Sequence, residues 1–214
     1  TGKVFRREEL EIIARLAIAH DVLVISDEVY EHITFDDAVH VPMATIPGMR
    51  DRTLTVSSAG KTFSFTGWKV GWATGPAPMI SAVQAAHQFV TFATATPLQV
   101  GLARGMRTLG PGYYATLQRE YAERRDFLLR VLRGSGFEPA VPAGTYFVVA
   151  RFDRLWSGDD RSFALHLVER HKVAAIPPSV FYQATPHEGQ RLVRFAFCKK
   201  MSTLEAAAER LHAL

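Results

Sequence analysis

Two short segments of this 214-residue chain carry residues able to do chemistry where strands should end. Asp27 and Glu28 follow directly on the apolar run from Val22 to Ser26, and Gly60-Lys61-Thr62 follows the run from Thr53 to Ser57. Ligands of open α/β sheets bind beyond the carboxyl ends of the strands, so Asp27 and Lys61 are expected to face one crevice. Each residue alone has an ordinary explanation: a loop lysine is usually solvated, an aspartate can cap a helix, and Tyr30 can pack in a core. A nucleotide-phosphate loop needs a glycine five residues before Gly60, and Thr55 stands there. Ser58-Ala59-Gly60-Lys61 has the Ser-x-x-Lys spacing of penicillin-binding enzymes, but neither a Ser-Asp-Asn nor a Lys-Thr-Gly completes that site. His166 and His171 are the nearest pair of possible metal ligands, and their spacing on a helix points them to different faces.

These residues need elements to hold them. Leu10, Ile13, Leu16 and Ala17 mark one face of a helix over 7–19, with Glu8 and Glu9 favourably placed in its first turn. The runs 22–26 and 53–57 read as strands buried on both faces of a parallel sheet, and 70–74 as a third strand. Residues 78–106 are helical in character, with Thr96 as cap and Pro97 opening a second helix. A long helix runs from Tyr113 to Arg133 and stops at Gly134-Ser135-Gly136. Beyond it, strands at 146–150, 173–176 and 192–197 alternate with helices at 161–171 and 203–213, the last opened by a Ser202/Glu205 capping box. The expected architecture is α/β over 1–111, a connecting helix over 112–134, and a smaller α+β domain over 135–214.

Composition narrows the function classes. With 48% hydrophobic residues the chain can bury a sizeable core. Lys and Arg outnumber Asp and Glu by only 25 to 21, without a basic run interleaved with aromatics, which argues against nucleic-acid binding. No apolar stretch reaches the ~18 residues of a membrane span, and the charged first twenty residues are unlike a signal peptide. The single cysteine, Cys198, fits a reducing compartment, with the cytoplasm as the default.

Three segments taken together are more specific than any one. Ser26-Asp27-Glu28-Val29-Tyr30, then the stretch from Ser58 to Trp72, and finally Arg191-Leu192-Val193-Arg194-Phe195 resemble the class I/II aminotransferases of fold type I. The similarity is greatest to the branch of kynurenine and glutamine transaminases and N-succinyldiaminopimelate aminotransferases. It runs over the whole of 1–214, in order and with matching gaps.

The resemblance implies the carboxyl-terminal half of a large, mainly parallel domain followed by a small domain. It also implies the cofactor pyridoxal 5'-phosphate and amino-acid and 2-oxo-acid substrates. In that reading Lys61 forms the Schiff base with the cofactor aldehyde and then moves the substrate's proton. Asp27 pairs with the pyridinium nitrogen, Tyr30 hydrogen-bonds the ring's phenolic oxygen, and Ser58 and Lys69 hold the phosphate. Many relatives carry arginine where Lys69 stands, and the lysine favours the kynurenine-type branch. Arg194 grips the substrate α-carboxylate with its planar fork. Thr1-Gly2 looks like the end of the family's Asn-Pro-x-Gly motif, so a preceding half with further cofactor contacts is expected, and 1–214 alone is not expected to be a competent catalyst. A homodimer is implied by resemblance only. Two other readings share these residues: a β-lyase on cysteine conjugates, told apart by pyruvate and ammonia as products, and a cofactor-sensing domain of a transcription regulator, which would need an upstream helix-turn-helix module.

Overall fold

The apolar runs pair into two separate three-stranded sheets, ordered β1-β2-β3 and β4-β5-β6. The computed structural model describes residues 1–214, which divide into two units: Val4–Leu117, and Gln118–Leu214 together with Thr1–Lys3. The division falls inside one long helix, α5 (Pro111–Gly134).

In the unit Val4–Leu117, α1 (Arg7–Ala19) begins where the Arg6 amide donates to the Glu9 carboxylate. Its buried stripe is Leu10, Ala14 and Ala17, packed with Met43, Ile46 and Met49. Ile13 and Leu16, expected on that face, are instead exposed. A stripe of two alanines and one leucine lets the helix lie close to its neighbours, and the longer side chains point away. β1 (Val24–Asp27) pairs parallel with β2 (Thr53–Ser58), Ile25 opposite Leu54 and Asp27 opposite Val56. β2 pairs antiparallel with β3 (Gly71–Thr74), so these three strands form a mixed sheet rather than a parallel one. The connection from β2 to β3 holds no helix long enough to cross the sheet and returns the chain antiparallel. It carries α2 (Ala59–Thr62) and a 3-10 turn at Thr66–Trp68. A side chain on Gly71 would put its Cβ 2.7 Å from the Ser57 carbonyl, so the close return needs glycine there. α3 (Ala77–Val90) and α4 (Thr96–Thr108) follow; Ala95 is the N-cap of α4, while Thr96 and Pro97 form its first turn.

In the second unit the helix end is well signalled. Gly136, at φ 87°, lets the chain reverse, and the Phe137 amide donates back to the Leu132 carbonyl. β5 (Phe147–Arg151) pairs antiparallel with both β4 (Glu138–Pro139) and β6 (Leu192–Ala196). α6 (Asp160–His171) and α7 (Met201–Leu211) complete the unit. Phe152, Phe163, Phe197, Leu132, Leu167 and Val193 are fully buried, with the Phe152 and Phe163 rings stacked at 4.3 Å. Two expectations fail here. Residues 173–176 are not a strand: Lys172 closes α6 in the left-handed region, Pro177 and Pro178 offer no amide donor, and only Ile176 bridges to Arg194. The cap of α7 is Lys200, whose carbonyl takes the Thr203 and Leu204 amides, which leaves Ser202 inside the first turn and no Ser202/Glu205 capping box.

Candidate active site

The end of β2 is built around Ser58. Its hydroxyl accepts from the Gly60 amide at 3.1 Å and caps the turn of α2 that carries Lys61. The same hydroxyl donates to the Val70 carbonyl at 3.3 Å, and Ser58 lies opposite Gly71 across the β2–β3 pair. Lys69 adjoins Val70 with φ 54°, a left-handed conformation that a lysine adopts only under local constraint. The pairing thus gathers Ser58, Lys61 and Lys69 around one short return of the chain.

At the neighbouring end of β1, Asp27 is exposed and its carboxylate accepts from the Val29 amide at 3.2 Å. The tight turn brings Tyr30 under the lysine: Lys61 Nζ lies 6.0 Å from the centre of the Tyr30 ring. The five residues expected from the sequence at this end of the unit thus lie either at the carboxyl ends of two adjacent parallel strands, Asp27 and Ser58, or on the connections that leave them, Tyr30, Lys61 and Lys69.

Beneath that turn a buried carboxylate, Glu28, gathers several polar partners. Glu28 is buried and accepts from the Met43 amide at 3.1 Å and from Ser26 Oγ at 3.0 Å. Its other oxygen is 2.8 Å from His40 Nε2. Burial pushes the Glu28 carboxyl up, but the bonds from His40, Met43 and Ser26 outweigh it and hold the group below the usual carboxylate range. Glu31 joins this group by accepting from Ser57 Oγ at 2.9 Å. These bonds tie the Asp27–Tyr30 turn to β2 and to the segment around Met43.

Arg194 belongs to the second unit. β6 alternates as expected, with Val193 and Phe195 buried and Leu192, Arg194 and Ala196 on the opposite face. The Arg194 guanidinium carbon lies 4.2 Å from the Phe147 ring centre and 4.8 Å from that of Phe181, and its Nε is buried with no hydrogen-bond partner. It lines a cavity of about 860 Å³ whose walls include Phe137, Val149, Phe181, Tyr182 and Leu192. Phe181 was missed in the sequence, where nothing distinguishes it from other loop aromatics.

An α/β chain with a lysine turn at its strand ends and an unpaired arginine on a small antiparallel sheet belongs to a definable class. Residues 1–211 match the family described as aminotransferase class I and II. The chain is 43% identical to kynurenine–oxoglutarate transaminase 3 of Mus musculus, over 97% of this chain and 49% of that protein. It is 42% identical to a probable N-succinyldiaminopimelate aminotransferase of Mycobacterium tuberculosis, over 100% of this chain and 55% of that protein. The solved structure of the N-succinyldiaminopimelate aminotransferase from Mycobacterium tuberculosis superposes with a TM-score of 0.93, covering 100% of this chain and 55% of that one. An Escherichia coli protein with a methionine aminotransferase function superposes at 0.91 with 40% identity, again covering 100% and 55%. This chain belongs to the class I and II aminotransferases, whose members use pyridoxal 5'-phosphate. It spans about half the length of the curated relatives it matches.

Proposed function

We propose that the protein is a pyridoxal-phosphate aminotransferase that moves an amino group between an amino acid and a 2-oxo acid. The observation that carries this reading is the placement of Lys61 over Tyr30, with Asp27 and Ser58 at the two strand ends and Lys69 on the return from β2 to β3. The donor set fits the cofactor group by group. Lys61 offers an amine for the aldehyde, Asp27 a carboxylate for the protonated ring nitrogen, and Tyr30 a hydroxyl for the ring oxygen. Ser58 and Lys69 offer a hydroxyl and a charge for the phosphate.

When bound, the cofactor supplies the electron sink that makes the α-proton of an amino acid removable. Lys61 Nζ then serves as the base that takes this proton and returns it, and the face of Tyr30 beside it favours the charged ammonium in the interval. Asp27, fixed by the Val29 amide, orients the ring edge. Arg194 holds the substrate carboxylate through its planar fork, a task consistent with its lack of an acidic partner. The relatives are named for kynurenine, N-succinyldiaminopimelate and methionine, so the reading stands at what they share, amino-group transfer. A homodimer in the cytoplasm completes the reading; no helix is long and apolar enough to cross a membrane.

The test is reduction of the full-length, cofactor-loaded protein with borohydride, followed by peptide mapping. The cofactor mass is expected on Lys61, with loss of the yellow colour. Recovery of the mass on Lys69, or on no lysine, overturns the assignment.

A further inference from the structure

Arginines that line cavities are usually held by carboxylates or carbonyls, and Arg194 is held by rings instead. Phe147 is placed by the β5–β6 register, in which Val149 lies opposite Arg194 and Phe147 two residues further along. Phe181 comes from elsewhere, at the end of a 3-10 turn over Pro178–Phe181. That turn is anchored from below: the fully buried Asp160 accepts from the Ser179 amide at 2.7 Å. Gly189 packs so closely on Ser179 that an added Cβ would lie 2.5 Å from its nitrogen. The result is a rigidly presented phenylalanine that is itself 62% exposed, so burial of its ring in a core does not account for its position.

We propose that Phe181, with Phe147, is a positioning residue that fixes the plane of the Arg194 guanidinium for a carboxylate-bearing substrate. This rests on the reading of Arg194 given above. A ring against the face of a guanidinium leaves its N–H edge for a planar two-oxygen acceptor and holds the side chain without competing for those donors. A carboxylate that does not change during the reaction is bound equally in ground and transition states, so the clamp should act on KM far more than on kcat. Asp160 contributes one step further back, by holding the turn that presents Phe181.

The experiment uses the full-length holoenzyme with Phe181 replaced by Ala, Leu, Tyr and Trp, and Arg194→Ala as reference. Binding of 3-phenylpropionate, a carboxylate without an amine, is measured by calorimetry. Steady-state constants are compared for an amino acid and its decarboxylated amine. Phe181→Ala and Phe181→Leu are expected to weaken 3-phenylpropionate binding and raise the amino-acid KM by roughly 2- to 30-fold, the range of a ring–cation contact. Tyr and Trp should stay within about twofold of the natural protein, because they keep the ring face. The amine, having no carboxylate, should be nearly insensitive to all four. If Leu binds the carboxylate as well as Phe does, the ring face is not what matters and the inference falls while Arg194 keeps its role. If Arg194→Ala leaves 3-phenylpropionate binding unchanged, the reading of Arg194 falls first and takes this inference with it.

Discussion

The two sheets spend their apolar residues differently. On β6, Val193 and Phe195 are at most 4% exposed while Leu192 and Arg194 face a cavity. On β1, the side chain of Ile25 is 71% exposed, and Val22 and Leu23 just before it are also open, although all lie in a continuous apolar run. An alternating strand states which face is core and leaves the other for chemistry. A continuous run states only that both faces want cover, and within 1–214 that cover is present on one side.

The largest loss is expected from a change in the closed unit. Phe163 is fully buried against Phe152, Phe137 and Trp156, so Phe163→Ala should cost about 3–5 kcal/mol of unfolding free energy. Ile25→Ser, at the open strand, should change the stability of the 214-residue chain by no more than about 0.5 kcal/mol. Denaturant titrations followed by near-ultraviolet circular dichroism give both values. Equal losses at the two positions would mean that β1 is covered in solution, for instance by a second copy of the chain.

A smaller effect separates two arginines on the same stretch. Arg191 is fully engaged, with Nη1 2.6 Å from the Gly158 carbonyl, Nη2 2.8 Å from that of Trp156 and Nε 2.8 Å from Asp153. The Arg191 bond to Asp153, with a further one from Arg151, holds the Asp153 carboxyl below its ordinary range. Arg194, three residues on, has rings and a cavity in their place. Arg194→Ala in the full-length protein should therefore cost roughly 2–4 kcal/mol of transition-state binding for amino acids, about 30- to 1000-fold in kcat/KM, with the cofactor spectrum kept. Arg191→Ala should lower thermal stability and leave the preference for amino acids over simple amines as it was. A loss for Arg194→Ala that is as large for amines, or loss of bound cofactor, would make it a structural arginine too.

Which parts were legible follows from how far apart the interacting residues are in the chain. Asp27 and Lys61 stand out because strand ends are local patterns, and the face on which Arg194 lies follows from simple alternation on β6, whereas Tyr30, Ser58, Lys69 and the role of Arg194 are implied only by the resemblance to the aminotransferases. The strand expected at 173–176 does not form, because two prolines and a left-handed lysine break the backbone after a helix. The capping-box pattern at Ser202 and Glu205 failed for a different reason, because the Lys200 carbonyl already takes the first amides of α7. Phe181 and His40 left no such trace. Each matters through one contact with a residue twelve or more positions away, and no spacing rule reaches that far.

The Glu28–His40 contact, inside the open unit, gives the smallest of these effects. Ile25 is two residues before Asp27 on the exposed strand, yet Glu28, immediately after that strand, is only 5% exposed and fully hydrogen-bonded. The turn bearing Asp27 and Tyr30 is thus secured by polar bonds where apolar cover is thin. Glu28→Gln keeps the shape but turns one acceptor into a donor facing either the Met43 amide or His40, and an unsatisfied buried group of this kind costs about 1–3 kcal/mol. The pH dependence gives a second, independent sign. The folded-state Glu28 carboxyl is held below its ordinary value of 4.5, so its contribution is fully present above that value and is lost as pH falls through the lower, folded-state value. The natural chain should accordingly lose stability on acidification below about pH 4.5 more steeply than Glu28→Gln does, so that the two melting curves converge in acid. Thermal melts of both chains from neutral pH down to acid measure this directly. Parallel curves, with the same gap at every pH, would mean that Glu28 is not the charged acceptor at the base of the turn.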